Sequence, residues 1–233
     1  AGPEDSGGNE QDLSLLHHRH FDLVLAGKLR RLAITGVYKP RHADAGIVGP
    51  KIKYFSEPET IWSAGGILDA QRMPIMLGLD EVDGGQHDEL REVDWVTGCA
   101  LLIKASLIER IGLIDSRFFI YYEENDWCRR AREAGHRVIY VPEACMWHKI
   151  QPRHQALSPR YVYLMTRNRL LFLRKAGARF PSILFTIATE NLKTILAWSV
   201  RKQHKDKRSM RLPVLRGVRD YLIGAFGAPP SDL

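Results

Sequence analysis

Two kinds of hydrophobic pattern divide this chain: short apolar or alternating runs before Pro152, and longer helical spacings beyond it. Ala45 to Phe55 reads as a strand interrupted by a turn at Gly49-Pro50, with partial alternation afterwards. Ile61 to Leu68 repeats that character around Gly65-Gly66, and Asp80 to Glu92 reads as an acidic loop. Val93 to Ile103 is the most apolar strand candidate, with Gly98 at its centre marking a bulge or a close backbone approach. Ala105 to Ile111 predicts a short helix stopped by Gly112, and an aromatic run follows from Phe118 to Tyr122. Glu123 to Ala134 predicts a helix, with acids in its first turn, arginines further along and Gly135 after its end, the order a helix macrodipole favours. His136 to Val141 predicts a short strand that Pro142 breaks.

After Pro152, Pro181 to Val200 is amphipathic: Ile183, Leu184, Ile187, Ile195 and Trp198 share one arc, opposite Thr186, Thr189, Glu190 and Lys193. Arg160, Arg167 and Arg174 recur every seven residues beside Tyr163, Leu164 and Leu171. Strands alternating with helices predict an α/β layer architecture. The polar residues within Pro181 to Val200 argue against a membrane span. Two arrangements remain for this half: a helical cap packed on the α/β core with its arginines in water, or helices lying against an anionic bilayer surface.

Composition adds three constraints. The 233 residues, 45% hydrophobic and 26% charged, suit one large or two small folded domains and exclude a disordered tail or a coiled coil. The net charge of +7 is unevenly spread: Lys149 to Asp220 holds 17 Lys/Arg against 3 Asp/Glu, a local surplus of 14 that leaves the remainder at −7. Cys99, Cys128 and Cys145 make a poor disulfide framework, so a reducing, cytoplasmic compartment is expected. Cys145 and His148 have a zinc-like local spacing but lack a second pair, and His17, His18 and His20 read as a solvated loop. The polar start carries no signal peptide, and the absent initiator Met suggests a trimmed or fragmentary chain.

Chemistry concentrates at Glu123, Glu124 and Asp126, three carboxylates within four residues at a helix start. Free backbone N–H groups and the helix dipole keep carboxylates there ionised, and an ionised carboxylate can act as a base. An acidic first turn also serves simply to cap a helix.

A wider pattern surrounds them. Val93-Asp94-Trp95-Val96-Thr97-Gly98-Cys99-Ala100, then Gly112 to Phe119, the acidic run, and Ala134 to Ala144 followed by His148, resemble the second half of family 2 glycosyltransferases, most closely the rhamnosyltransferase-like branch. Gly46 to Pro50, Ser63 to Gly66, Thr166-Arg167-Asn168-Arg169 and Leu215-Arg216-Gly217 extend the likeness over about residues 43–227. The resemblance implies an incomplete A-type glycosyltransferase fold, a nucleotide-diphospho-sugar transferase architecture, followed by a helical C-terminal segment. It divides the chain into a divergent or truncated 1–42, an acceptor-side catalytic half over 43–150 and a basic helical region over 151–233. It further implies inverting transfer from a nucleotide-sugar donor to a surface glycan or lipid-linked acceptor. Glu124 is the implied base, Glu123 its partner, and Asp126 a support for the helix start or the site. His148 aligns with a histidine that contacts metal or diphosphate, which implies a divalent cation, manganese or magnesium. Trp95, Gly98 and Cys99 align with the acceptor-side loop, where an aromatic face can stack on a sugar; Trp95 would serve equally in a core.

A complete family member opens with a nucleotide-binding strand and loop and an acidic D-x-D motif, of which 17–40 holds no recognisable version. Weak or absent binding of nucleotide-sugar by this chain alone is therefore expected. The competing reading is a non-catalytic basic module, or inactive fragment, that uses Lys149 to Asp220 to hold an anionic membrane surface, at the inner face of the plasma membrane, or nucleic acid. Nucleic acid is disfavoured, because Tyr161, Tyr163 and Phe172 fall at core-like helical spacing rather than as interleaved stacking platforms.

Overall fold

The computed structural model describes residues 44–150 and 158–233. The expectations for 1–42, including His17, His18 and His20, lie outside the described residues. In chain order the elements are β1 (Ala45–Tyr54), β2 (Thr60–Ser63), β3 (Gly66–Leu68), β4 (Pro74–Met76), β5 (Glu81–Val82), β6 (Arg91–Glu92), β7 (Leu102–Ile103), α1 (Ala105–Ile111), α2 (Glu123–Glu133) and β8 (Arg137–His148). The helical half holds α3 (Pro159–Lys175), α4 (Phe180–Thr186), a π-helical turn (Ile187–Leu192), α5 (Lys193–Val200), a 3-10 segment (Lys202–Met210) and α6 (Arg211–Ile223).

The central parallel pair β1 and β8 extends to a sheet of order β5-β2-β1-β8-β6, with β7 also paired to β1, and β3 with β4 forms a separate hairpin. The α/β layering expected from the alternating pattern is therefore the one the chain adopts. Two prolines expected to interrupt strands do not. Both β1 and β8 run on because the ladder slips beside them: Pro50 pairs with Val141 while Lys51 pairs with Cys145, and the bulge of Pro142, Glu143 and Ala144 absorbs the missing N–H donors.

Val93 to Ile103, expected as a buried strand, is mostly loop, with Leu102 and Ile103 paired to β1. Its polar backbone is satisfied off the sheet: Asp94 N and Trp95 N both donate to Gly66 O, and the Asp94 carboxylate accepts from Leu68 N at 2.6 Å. Val93, Trp95 and Val96 still enter the main core, beside Ile47, Ile61, Leu107, Ala131, Val138 and Tyr140.

A second apolar cluster joins the layers, with Phe118 and Tyr122 packed on Leu170, Leu171 and Phe172 of α3, Ile183, Ile187 and Tyr221. The central helix of that half, α3, starts at a Ser158 cap that accepts from Tyr161 N at 3.1 Å, with Pro159 at its first position. Arg167 occupies neither place expected for the arginine stripe: it is fully buried. Ile183 and Ile187 of the expected arc are buried, but Leu184 is exposed. Among the described residues, no helix is long and apolar enough to cross a membrane. All three cysteines are free.

One ion cluster pins the acidic 80–92 loop to the sheet. Lys51, 4% exposed in the central strand, pairs with Asp83 at 3.0 Å and with Asp88, and Lys53 reaches Asp83 at 2.9 Å. Burial pushes the Asp83 pKa up, but hydrogen bonds from Lys53 and Lys51 and from Gly85 N outweigh it and bring it to about 2. Its stabilising contribution is complete above the unfolded value of 3.8 and is lost as pH falls towards 2. Asp83→Asn is expected to lower the Tm at neutral pH, with the gap to the unsubstituted protein closing between about pH 4 and pH 2; calorimetry across that range checks it.

Candidate active site

The site is built on the first turn of α2, and its entry is unusual. Phe119, Tyr121 and Tyr122 have φ of 67°, 70° and 72°, a left-handed backbone that costs bulky residues roughly 1–2 kcal/mol each. Tyr122 is also the helix N-cap and offers no side-chain cap bond. What holds this backbone comes from α3. Asn168 Nδ2 lies within hydrogen-bond distance of the carbonyls of Phe118 (2.8 Å), Ile120 (2.8 Å) and Tyr121 (2.9 Å), so its two N–H groups serve the three between them. Arg167 Nη2 donates to Phe118 O (3.3 Å), Arg117 O (3.4 Å) and Gly227 O (2.7 Å), and Arg167 Nε donates to Asn168 Oδ1 at 3.1 Å. Arg169 reaches the other loop beside α3, with Nη1 on Arg72 O (2.7 Å) and Nη2 on Gln71 O (3.0 Å).

The three carboxylates of the first turn have different fates. Asp126 is fully buried and neutralised by Arg129 Nη2, Arg130 Nε and Lys175 Nζ, each at 2.9 Å. Lys175 and Arg117 also bind Asp115, and Arg130 donates to the carbonyls of Ile111 and Leu113, so this network ties the loop after α1 to α2 and α3. The contacts of Asp126 are these ion pairs, which join α2 to the end of α3.

Glu123 and Glu124 have no ion pair with Arg or Lys among the described residues. The Oε2 atom of each is buried without a hydrogen-bond partner. Burial pushes both carboxyls up. For Glu124 the rise is large, because the negative charge of Glu123 adds to the loss of water, and backbone N–H groups offset it only in part.

Gly98 lies against this pair and is exposed: a Cβ there would stand 3.5 Å from Glu124 Cβ and 3.8 Å from Glu123 Oε1. Cys99 follows it, half-buried, with its thiol pushed up to about 12 by burial, the Glu124 charge contributing and a contact from Thr97 Oγ1 at 3.5 Å opposing. It is therefore a neutral wall, as is Cys128, whose thiol burial also pushes up to about 12. The structure thus brings Gly98 and Cys99 to the two glutamates. Trp95 it places in the core: 4% exposed, with its ring filling the space of a Gly66 side chain and Nε1 donating to Ile67 O at 3.3 Å. Its faces are closed to a sugar. The half-buried aromatics near the pair are instead Tyr121 and Tyr161, in edge contact at 5.2 Å between ring centroids.

His148 stands at the end of β8, edge-on to Trp62 at 4.9 Å, rather than among the α2 carboxylates. Burial pushes its pKa down, favouring the neutral ring. Among the described residues no group of three His, Cys, Asp or Glu side chains could hold a metal ion, so these residues do not fit the implied divalent cation by themselves. Two cavities on the helical half, one of about 360 Å³ beside Arg72, Arg179 and Phe185 and one of about 180 Å³ beside Arg174, Phe180 and Tyr221, do not include the glutamates.

Sequence reasoning missed the role of Arg167, Asn168 and Arg169. Their signal was a run of four polar residues, Thr166 to Arg169, between the apolar stretches Val162–Met165 and Leu170–Leu173 of one helix.

Known proteins that this chain is similar to are glycosyltransferases. It is 35% identical over 97 residues to the low-salt glycan biosynthesis hexosyltransferase Agl10 of Haloferax volcanii, covering 41% of this chain and 31% of that protein. It is 38% identical over 58 residues to an N-acetylglucosaminyl-diphospho-decaprenol L-rhamnosyltransferase of Mycobacterium tuberculosis, covering 25% of this chain and 19% of that one. Rhamnosyltransferase WbbL of Escherichia coli strain K12 is 37% identical over 62 residues, at 27% and 22% coverage. These relatives bear out the rhamnosyltransferase-like resemblance of the motifs, and the chain spans about a third or less of their length. No protein-family model matches the chain. Among solved structures, GalNAc-T7 with UDP, GalNAc and Mn2+ aligns at a TM-score of 0.42 and 12% identity, covering 79% of this chain and 37% of that one.

Because the Glu124 pKa is raised on folding, the unfolded carboxyl ionises first, above about 4.5, and the folded state loses stability as pH rises through the interval up to its own pKa. Glu124→Gln is therefore expected to raise the Tm at neutral pH and to lose that advantage below about pH 4. Thermal melts of the two proteins at both pH values check the sign.

Proposed function

We propose that this chain carries the acceptor-side catalytic part of an inverting glycosyltransferase that uses a nucleotide-sugar donor and a glycan or lipid-linked acceptor, within an A-type glycosyltransferase fold. The observation that carries the proposal is the Glu123–Glu124 pair: two shielded carboxyls with no cationic partner among the described residues, beside an exposed glycine, at a helix start whose other acid is fully neutralised. The glycosyltransferase relatives supply the reaction class.

Glu124, once ionised, accepts the proton of the acceptor hydroxyl while that oxygen bonds to the anomeric carbon. The bond from that carbon to the nucleoside diphosphate breaks, and the leaving group takes the electron pair. A base with a raised pKa holds the proton it takes more firmly than an ordinary carboxylate. Gly98 lets the backbone, and hence an acceptor, come close to the pair. No step is assigned to a cation, for which the described residues provide no cluster.

In the longest natural reading frame containing these residues, Glu124→Gln is expected to reduce sugar transfer about 10²- to 10⁴-fold while the protein stays folded. Transfer from labelled dTDP-rhamnose and UDP-hexoses to a membrane lipid extract measures this, and undiminished turnover removes Glu124 from the mechanism.

A second reading concerns where the acceptor is met. Phe180, Leu184, Leu192, Leu196 and Val200 are all exposed at multiples of four residues, with the small Ala188 completing the row. On a regular α-helix such a row drifts by about 40° per step, and the wider π turn over Ile187–Leu192 counters that drift. The stripe leads into Arg201, Lys202, Lys205, Lys207, Arg208 and Arg211. Apolar and basic surface in that order suits an anionic bilayer, to which each Lys or Arg near the surface adds about 1 kcal/mol. Co-sedimentation is expected with phosphatidylglycerol vesicles but not with phosphatidylcholine vesicles, and Leu196→Glu should weaken it at least tenfold. Tighter binding to an oligonucleotide than to either vesicle would favour the nucleic-acid reading instead.

A further inference from the structure

We propose that Asn168 and Arg167 are positioning residues for Glu123 and Glu124: by holding the 118–122 turn, with Phe119, Tyr121 and Tyr122 in left-handed backbone, they set where α2 begins, and so where the two carboxylates stand. The functional consequence rests on the reading of Glu124 as the base, whereas the geometry does not.

Burial alone cannot set this start. Phe118 and Tyr122 are buried against Leu170, Leu171 and Phe172, but apolar burial is non-directional and accepts more than one backbone conformation. A local cap does not set it either, since Tyr122 makes no side-chain cap bond. Local backbone bonds, Phe118 N to Asp115 O, Phe119 N to Ser116 O and Ile120 N to Phe118 O, shape the start of the turn, and the side chains that bind its carbonyls come from α3: one amide group facing three carbonyls within four residues, and one guanidinium bridging that turn to Gly227. Both side chains are fully buried, so water cannot replace them when they are removed. With the carbonyls released, Phe119, Tyr121 and Tyr122 can leave the left-handed region, and a rotation at Tyr122 moves the residue that follows it, Glu123, and then Glu124. Arg160 stacks on Phe119 at 5.4 Å and Tyr161 meets Tyr121, so the first turn of α3 grips the same loop from outside. On this account the basic helical half is part of the catalytic unit rather than an appendage to it.

The test reads the carboxylates directly, without any sugar. In the full chain labelled with ¹³C-glutamate, carboxyl resonances are titrated for the unsubstituted protein, Asn168→Ala, Arg167→Lys and Val214→Ala, with Glu124→Gln assigning the pair. Val214 is a buried residue near the start of α6, at the end away from Gly227, and serves as the control for general loosening. Asn168→Ala and Arg167→Lys are expected to bring the upper midpoint of the pair down at least tenfold in proton affinity, as the first turn of α2 opens to water, while Val214→Ala leaves it in place. An unchanged midpoint in both folded α3 variants overturns the proposal. So does an equal shift in Val214→Ala, or the failure of both α3 variants to fold, which would make the two residues purely structural. Because the readout needs no turnover, a Glu124 that proved not to be the base would leave this result standing.

Discussion

Hydrogen bonds from two side chains of α3 to the carbonyls of Arg117, Phe118, Ile120 and Tyr121 are the interaction on which the remainder depends. A turn of aromatic residues in left-handed backbone is expensive, and a chain tolerates it only where surrounding contacts over-determine it. Here those contacts are buried, directional and supplied from about fifty residues downstream. The loop in turn delivers the start of α2, which carries every carboxylate of the site. Polar satisfaction in one layer therefore fixes acid chemistry in the other.

Within that first turn, electrostatics separates neighbours that look alike. Asp126 meets three cations and becomes a joint between α2, the loop after α1 and the end of α3. Glu123 and Glu124, three and two residues earlier, stand near each other and the neutral thiols of Cys99 and Cys128. A carboxyl deprived of water and of counter-charge resists ionisation, which is unfavourable for folding and useful for taking a proton. The chain carries that cost at one place only within the turn, while its partnered acid, Asp126, and the Lys51, Asp83 and Asp88 cluster on the sheet lie on the stabilising side.

The same logic explains which sequence signals could be read directly. The period of the apolar residues, the acids and arginines of α2 and the glycine after it act within a turn or two of chain, so the helix and the first half of each long strand were legible. So was the likeness to glycosyltransferases, which depends on the order of several motifs. The two prolines misled because a proline acts as a breaker only if its partner strand demands an N–H, and the bulge opposite removes that demand. Val93 to Ile103 misled because buried apolar side chains do not require a ladder once other backbone groups satisfy the loop. Arg167 misled because an arginine in a helical stripe reads as solvated until the carbonyls that enclose it are known.

By itself, the sequence determined the α/β class, the place of the acidic helix and the kind of relative to look for, since each rests on local periodicity or on motif order. Tertiary structure alone decided that Asp126 is a joint and Glu123 with Glu124 an unpaired couple, that Trp95 is core, and that α3 holds the turn before α2. These are questions of which charge or carbonyl meets which side chain across long stretches of chain, and that pairing exists only once the layers have packed.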